Sequence, residues 1–178
     1  EAVIVNSAGC GSIMKEYGEL LAHDGTYAER ARHLAAMTKD ILEFVAPHEL
    51  GALGAVDAAV SYQDSCHLVH AQKVARAPRE ILARIPGLDL REMASPDRCC
   101  GSAGLYSLVQ PGMSRRLLDD KMDDLAATGA RIVATANPGC MMQLEAGLRQ
   151  RGIDGSVVHV IELLDRAMSA ANPGGNQR

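Results

Sequence analysis

Five cysteines carry the chemistry in this 178-residue sequence: Cys10, Cys66, Cys99, Cys100 and Cys140. Thirty-two residues separate Cys66 from Cys99, and thirty-nine separate Cys100 from Cys140. Four soft thiolates are a donor set that iron–sulfur clusters and zinc both select. In Cys99-Cys100-Gly101-Ser102-Ala103-Gly104, Gly101 and Gly104 let the backbone approach a bulky cofactor and offer N–H groups to its sulfides. Pro138-Gly139 makes a rigid turn that aims Cys140. A lone cysteine is more often a buried core thiol than a ligand. Adjacent thiols flanked by glycines, with two more following strands, favour binding. An odd count with two neighbouring thiols suits no disulfide framework and fits a reducing, cytoplasmic setting.

His67 and His70 give Cys66-His67-x-x-His70, at i and i+3 on one helical face. His67 could join the thiolates in a Cys/His zinc site; two polar residues beside the site is the plainer reading and the favoured one. Sequence adjacency of Cys66 and His67 is no sign of a nucleophilic pair. Gly101–Gly104 lacks the Lys-Ser/Thr of a phosphate loop. Asp119-Asp120 and Asp123-Asp124 form an acidic helical face of the solvated kind, or one that docks a partner. The formal net charge of −4 and the near absence of aromatic side chains argue against nucleic acid as partner. No apolar run is long enough to span a membrane. The sequence opens Glu-Ala-Val-Ile-Val, without an initiator Met, and reads as a piece of a longer polypeptide.

The elements that must position these thiols alternate between strand and helix. Ala2–Val5, Val56–Tyr62, Leu88–Met93, Arg131–Ala136 and Val157–Val160 read as strands. Helices are expected over Cys10–Leu21, His67–Ala75, Pro78–Ile85, Pro111–Thr128, Cys140–Arg151 and Ile161–Met168. Helical spacing from Ala28 to Val45 predicts one long amphipathic helix over Tyr27–Val45. The fold class is therefore α/β, with a mostly parallel sheet flanked by helices. Each cysteine cluster is expected at a strand end where the next helix begins, the edge at which open parallel sheets collect ligands. Val5-Asn6-Ser7-Ala8-Gly9-Cys10 also echoes Thr135-Ala136-Asn137-Pro138-Gly139-Cys140, which suggests a duplicated unit.

Asp64-Ser65-Cys66-His67-Leu68, Arg98-Cys99-Cys100-Gly101-Ser102-Ala103-Gly104 and Asn137-Pro138-Gly139-Cys140 resemble the cysteine-rich CCG domain. That domain occurs in heterodisulfide reductase B subunits, lactate-utilisation proteins, anaerobic glycerol-3-phosphate dehydrogenase C subunits and glycolate oxidase iron–sulfur subunits. The likeness is closest to the C-terminal half of the last, through Leu105-Tyr106, Leu108-Val109-Gln110-Pro111, Val160-Ile161-Glu162-Leu163-Leu164-Asp165, Ser7-Ala8-Gly9-Cys10-Gly11 and Lys15-Glu16-Tyr17-Gly18. The resemblance implies residues 1–24 as the end of a first CCG repeat, 25–52 as a connecting amphipathic helix, 53–170 as a complete second repeat and 171–178 as a flexible tail. It implies Cys66, Cys99, Cys100 and Cys140 as ligands of a [4Fe–4S] cluster, with Gly101 and Gly104 against the cofactor and Cys10, a further candidate metal ligand, in the truncated repeat. The implied function is electron relay from a flavin (FAD) on a partner dehydrogenase subunit that oxidises glycolate to glyoxylate. The acceptor would be a quinone or another carrier. Upstream ferredoxin-like and first-repeat regions would complete the chain, in the cytoplasm or peripherally at the inner face of the membrane. Lactate-utilisation or glycerol-3-phosphate subunits are the alternatives within the family; a structural zinc or assembly module is the alternative outside it.

The family pattern closes with Cys-x-x-Cys, whereas Gln143 stands three residues after Cys140, and Ile13 three after Cys10. Five-thiolate ligation within this repeat is thereby ruled out. Four thiolates suffice for an ordinary [4Fe–4S] cluster.

Overall fold

The computed structural model of the protein describes residues 1–172. Its centre is a four-stranded parallel sheet of β3 (Ala58–Tyr62), β4 (Leu88–Leu90), β5 (Ile132–Thr135) and β6 (Ser156–His159), in the order β4-β3-β5-β6. The chain steps outward one way from β3 to β4 and the other way from β5 to β6, so the switch point lies between β3 and β5. Both faces are covered, as parallel sheets require. On one face Val60, Tyr62, Ala134 and Val158 meet Leu42, Leu68, Ile81, Leu82 and Leu163. On the other, Val133 and Val157 meet Leu118, Met122, Leu125, Leu144 and Leu148. The second set comes from helices α6 (Pro111–Thr128) and α7 (Pro138–Arg151). The α/β class with a parallel sheet flanked by helices is as expected from the sequence.

The segment 25–52 is not one connecting helix. It folds as α2 (Ala28–Met37), strand β2 (Thr38–Asp40) and α3 (Ile41–Val45). β2 pairs in parallel with β1 (Val3–Val5), which leads into α1 (Ala8–Leu20). The cause is local: Asp40 caps α3, its Oδ1 accepting from the Leu42 N–H at 2.9 Å while Glu43 reaches back to the Asp40 N–H at 3.4 Å. This capping box ends the helical path and leaves Thr38–Asp40 extended. The pairs Val3↔Thr38, Ile4↔Lys39 and Val5↔Asp40 have the same layout relative to Cys10 as Val133↔Val157, Ala134↔Val158 and Thr135↔His159 have relative to Cys140. His159 and Glu162 repeat the capping box at α8 (Val160–Ala171).

Other departures are smaller. The helix expected over His67–Ala75 is a π-helical turn, His67–Ala71, followed after a break by α4 (Ala77–Leu82). The strand expected to reach Met93 stops at Leu90, and a short helix α5 (Tyr106–Val109) stands where none was foreseen. Most of the expected tail, residues 173–178, lies outside the described residues.

Asp40 is 1% exposed, and its Oδ2 has no partner. Burial pushes its carboxyl up to about 6 from the ordinary 3.8. A raised acid favours the fold while protonated, so this contribution is present below about pH 4 and is lost as pH rises through about 6. Asp40→Asn keeps a capping oxygen and removes the buried charge. Urea unfolding is expected to show the variant stabilised over the native chain by about 2–3 kcal/mol at pH 8 and little changed at pH 4.

Candidate metal centre

The two strands at the switch point each deliver one cysteine. Cys66 follows β3 directly before the π-helical turn, a rare local geometry that recurs at functional sites. Cys140 follows β5 in the first turn of α7. Cys10 takes the corresponding place after β1, in the first turn of α1. That end of α1 is fastened to the neighbouring unit by Ala8 N–H to Ala136 O and Gly9 N–H to Asn137 Oδ1, both 3.1 Å. Cys99 and Cys100 do not sit at a strand end; they arrive on the irregular stretch between Leu90 and Tyr106. Asp124 holds this stretch by accepting from the Ala94 and Ser95 N–H groups at 2.7 and 2.8 Å.

All five cysteines line one cavity of about 270 Å³, together with Asp64, His67, Ser102, Gly104, Asn137 and Gly139. Cys100 and Cys140 are buried, Cys66 and Cys99 half-buried, and Cys10 exposed. His67 is exposed at the rim, with Nδ1 3.6 Å from Cys66 Sγ. His70 is exposed and does not line the cavity, so of the two histidines only His67 stands beside the thiols.

The sulfurs sit among donors. Cys99 Sγ accepts from the Gly101 N–H at 3.3 Å; Cys140 Sγ accepts from Asn137 Nδ2 at 3.6 Å and from Ser65 Oγ at 3.9 Å. Hydrogen bonding to Cys100 holds the Cys99 thiol down to about 6 and Cys140 down to about 7, aided by those donors. Cys100, between them, keeps its proton: both neighbours accept from it, and burial pushes it further up. Burial also raises Cys66. Metal binding to these thiols displaces the protons they carry.

Two networks that sequence spacing does not reveal stiffen the walls. Asp64, lining the cavity, is gripped by both guanidinium arms of Arg79 at 3.0 and 2.9 Å; Arg79 also binds Glu92 and lies 4.9 Å over the Tyr62 ring. Gln143, which replaces the final cysteine of the family pattern, donates to Ser114 Oγ at 3.2 Å, and Ser114 Oγ donates to Gly101 O at 2.8 Å. Gly101 has φ +86°, and a Cβ there would collide with the Ser114 carbonyl oxygen. Gly101→Ala is therefore expected to lower stability by about 1–3 kcal/mol and to impair cofactor retention, measured by urea unfolding and bound iron. Gly104, at φ +55°, faces open space beside the cavity.

The donor set fits an iron–sulfur cluster. Soft thiolates suit iron–sulfur clusters and zinc alike. Among the described residues no group of three or more His, Cys, Asp or Glu side chains is gathered tightly enough to hold a single metal ion. The four thiols line a cavity with room for several atoms, a shape suited to a multi-atom cluster.

The cysteine-rich domain family termed CCG matches residues 60–145. The chain is 39% identical over 169 residues to the "Probable glycolate oxidase iron-sulfur subunit" of Bacillus subtilis (strain 168), covering 92% of this chain and 38% of that protein. It is 34% identical over 169 residues to the glycolate oxidase iron-sulfur subunit of Escherichia coli (strain K12), covering 94% and 40%. Lactate utilization protein A of Shouchella clausii (strain KSM-K16) is 30% identical over 165 residues, covering 92% and 69%. The chain thus spans about two fifths of the length of the first two relatives. Among the described residues no helix is long and apolar enough to cross a membrane. With three cysteine motifs meeting over one cavity and a family match across them, the chain belongs to the CCG cysteine-rich-domain family.

Proposed function

We propose that this chain is an iron–sulfur electron-transfer part of a flavin-dependent 2-hydroxy-acid oxidising complex of the glycolate oxidase type. The observation that carries the proposal is the convergence of Cys66, Cys99, Cys100 and Cys140 on one cavity at the switch point of a parallel sheet. These four thiolates would hold a [4Fe–4S] cluster, which supplies one-electron transfer between a flavin on a partner subunit and a quinone or other acceptor. The chain's own part is position and potential. Burial of Cys100 and Cys140 limits solvent access, and the donors from Gly101, Asn137 and Ser65 favour the more negative, reduced state. Cys10 and His67 stand at the rim outside the ligand set; Gly104 lines the wall, whereas Gly101 lies behind it and acts through its N–H on Cys99 Sγ. Residues 53–170 form the complete repeat in this proposal, and the matched strand registers support an earlier repeat ending in the N-terminal segment.

The surface beside the cavity supports a partner. Leu105, Leu108 and Val109, directly after Gly104, are 72%, 76% and 60% exposed. Clustered apolar side chains of this kind mark interaction sites. A Leu105→Asp/Leu108→Asp double variant is expected to lose co-purification with the flavoprotein subunit while retaining iron. The test of the function itself is reduction of the assembled complex by glycolate, followed through bleaching of the visible iron–sulfur absorbance. A second reading, a lactate-utilisation subunit, draws on the 69% coverage of lactate utilization protein A. Bleaching by lactate but not glycolate would select it, and bleaching only by glycerol 3-phosphate would select the glycerol-3-phosphate dehydrogenase type.

A further inference from the structure

We propose that Asn137 is a two-sided positioning residue, whose carboxamide ties the N-terminal unit to the metal centre and tunes the centre's reduction potential. The inference rests on the iron–sulfur reading above and assigns a role to a residue outside the four ligands. Asn137 stands at the N-cap of α7, where its side chain makes no capping hydrogen bond to the backbone. Asparagine at that position ordinarily accepts from the N–H groups of the first turn. Here Oδ1 accepts instead from the Gly9 N–H of α1 at 3.1 Å, and Nδ2 donates to Cys140 Sγ at 3.6 Å. Gly9, Asn137 and Cys140 all line the cysteine cavity.

The Gly9 N–H can only donate, so it fixes the amide oxygen on its own side and turns the NH2 group toward the sulfur. A reversed amide would set two donors against each other and face Cys140 Sγ with an oxygen. The Gly9 N–H is itself held in place from two directions. The Ala8 N–H donates to Ala136 O at 3.1 Å, and Gln72, at the end of the turn that follows Cys66, donates from Nε2 to Ala8 O at 2.9 Å. Glycines on both sides leave the amide its place: a Cβ at Gly9 would lie 3.3 Å from Oδ1, and one at Gly139 3.3 Å from Nδ2. Asn137 therefore sits between the two Gly-Cys pairs of the repeated motif. One-electron reduction, as by dithionite, adds one negative charge to a cluster and its thiolates, and no proton leaves the amide. A fixed N–H donor at a ligand sulfur stabilises that more negative state and raises the potential.

The test compares Asn137→Leu, Asn137→Asp and Gly9→Pro with the native chain, each purified anaerobically with its cluster. Iron and labile sulfide per chain are measured, and the midpoint potential is taken from a dye-mediated dithionite titration read by EPR. Amide exchange at Gly9 is followed by residue-resolved mass spectrometry. Leucine removes both contacts without adding charge; aspartate keeps the acceptor for Gly9 and loses the donor to Cys140. Both variants are expected to hold native iron and to shift to more negative potential, with Gly9 exchange roughly 2–10-fold faster in the Leu variant alone. Gly9→Pro lacks the N–H and is expected to shift the potential the same way, with no further shift when combined with Asn137→Leu. Loss of iron from the Leu variant, at the urea midpoint of the metal-free native chain, also supports a positioning role. A native potential in the loaded Leu variant overturns the proposal, as does full additivity of the Gly9 and Asn137 shifts. Equal Gly9 exchange in the Leu and Asp variants overturns the bridge, including where Gly9→Pro does not fold. Unfolding of both Asn137 variants overturns it too, because the amide is then a strut of the fold. A native chain that binds no iron contradicts the iron–sulfur reading itself, and the exchange comparison still tests the bridge.

Discussion

Cys99→Ser is expected to strip the chain of iron and labile sulfide while leaving it folded. Cys99 is half-buried, and its sulfur takes the Gly101 N–H and a hydrogen bond from Cys100. Serine can keep those hydrogen bonds, so the metal-free fold loses little. A hydroxyl of ordinary acidity does not replace a thiolate as a soft ligand, and three sulfurs remain where four are needed. Losing even an outer-shell partner weakens metal binding by roughly 10–100-fold; loss of a ligand is expected to exceed that. Cys10→Ser provides the contrast. Cys10 is exposed at the rim of the same cavity, and its replacement is expected to leave iron and sulfide per chain unchanged. Iron and sulfide assays on anaerobically purified variants, beside circular dichroism of each, check both outcomes.

Arg79→Ala is expected to be among the most destabilising single changes in the chain outside the apolar core. The Asp64 side chain is 8% exposed and depends on both Arg79 nitrogens for compensation. Removing the guanidinium strands a buried carboxylate, a defect that costs about 3–5 kcal/mol where both partners are dry. The Arg79 side chain is 29% exposed, so water can reach part of the gap and the lower end of that range is expected. The same change removes the bridge to Glu92 and the cation over the Tyr62 ring. Asp64→Asn on the Arg79→Ala background should recover much of the loss, since a neutral amide tolerates the vacancy better. Urea unfolding of the four members of this double-mutant cycle gives the coupling directly. A coupling near zero would show that Asp64 is solvated in solution.

The parts of this architecture that follow from local pattern were legible in the sequence. Runs such as Ile132–Thr135 and a helix from Pro111 to Gly129 declare themselves through apolar periodicity and a left-handed glycine stop. The convergence of Cys66 and Cys140 followed from strand–helix alternation, because neighbouring parallel strands deliver their C-terminal ends to one edge. β2 was hidden by helical spacing running through Thr38, although Asp40-Ile41-Leu42-Glu43 already carried a capping-box signature. The position of Cys99-Cys100 was not legible as a strand end, since the loop that carries them is set by Asp124 and Lys121, more than twenty residues further along the chain. Pairings such as Asp64 with Arg79 and Gln143 with Ser114 have no periodic signature, and only the folded chain brings them together.

Metal analysis of the native chain tests the central claim most directly. The chain would be purified without oxygen, assayed for iron, acid-labile sulfide and zinc, and examined by EPR after dithionite reduction. The account predicts about four irons and four sulfides per chain and a reduced-state signal from a [4Fe–4S] cluster. One zinc per chain without labile sulfide would contradict it and make the cysteine cavity a structural metal site.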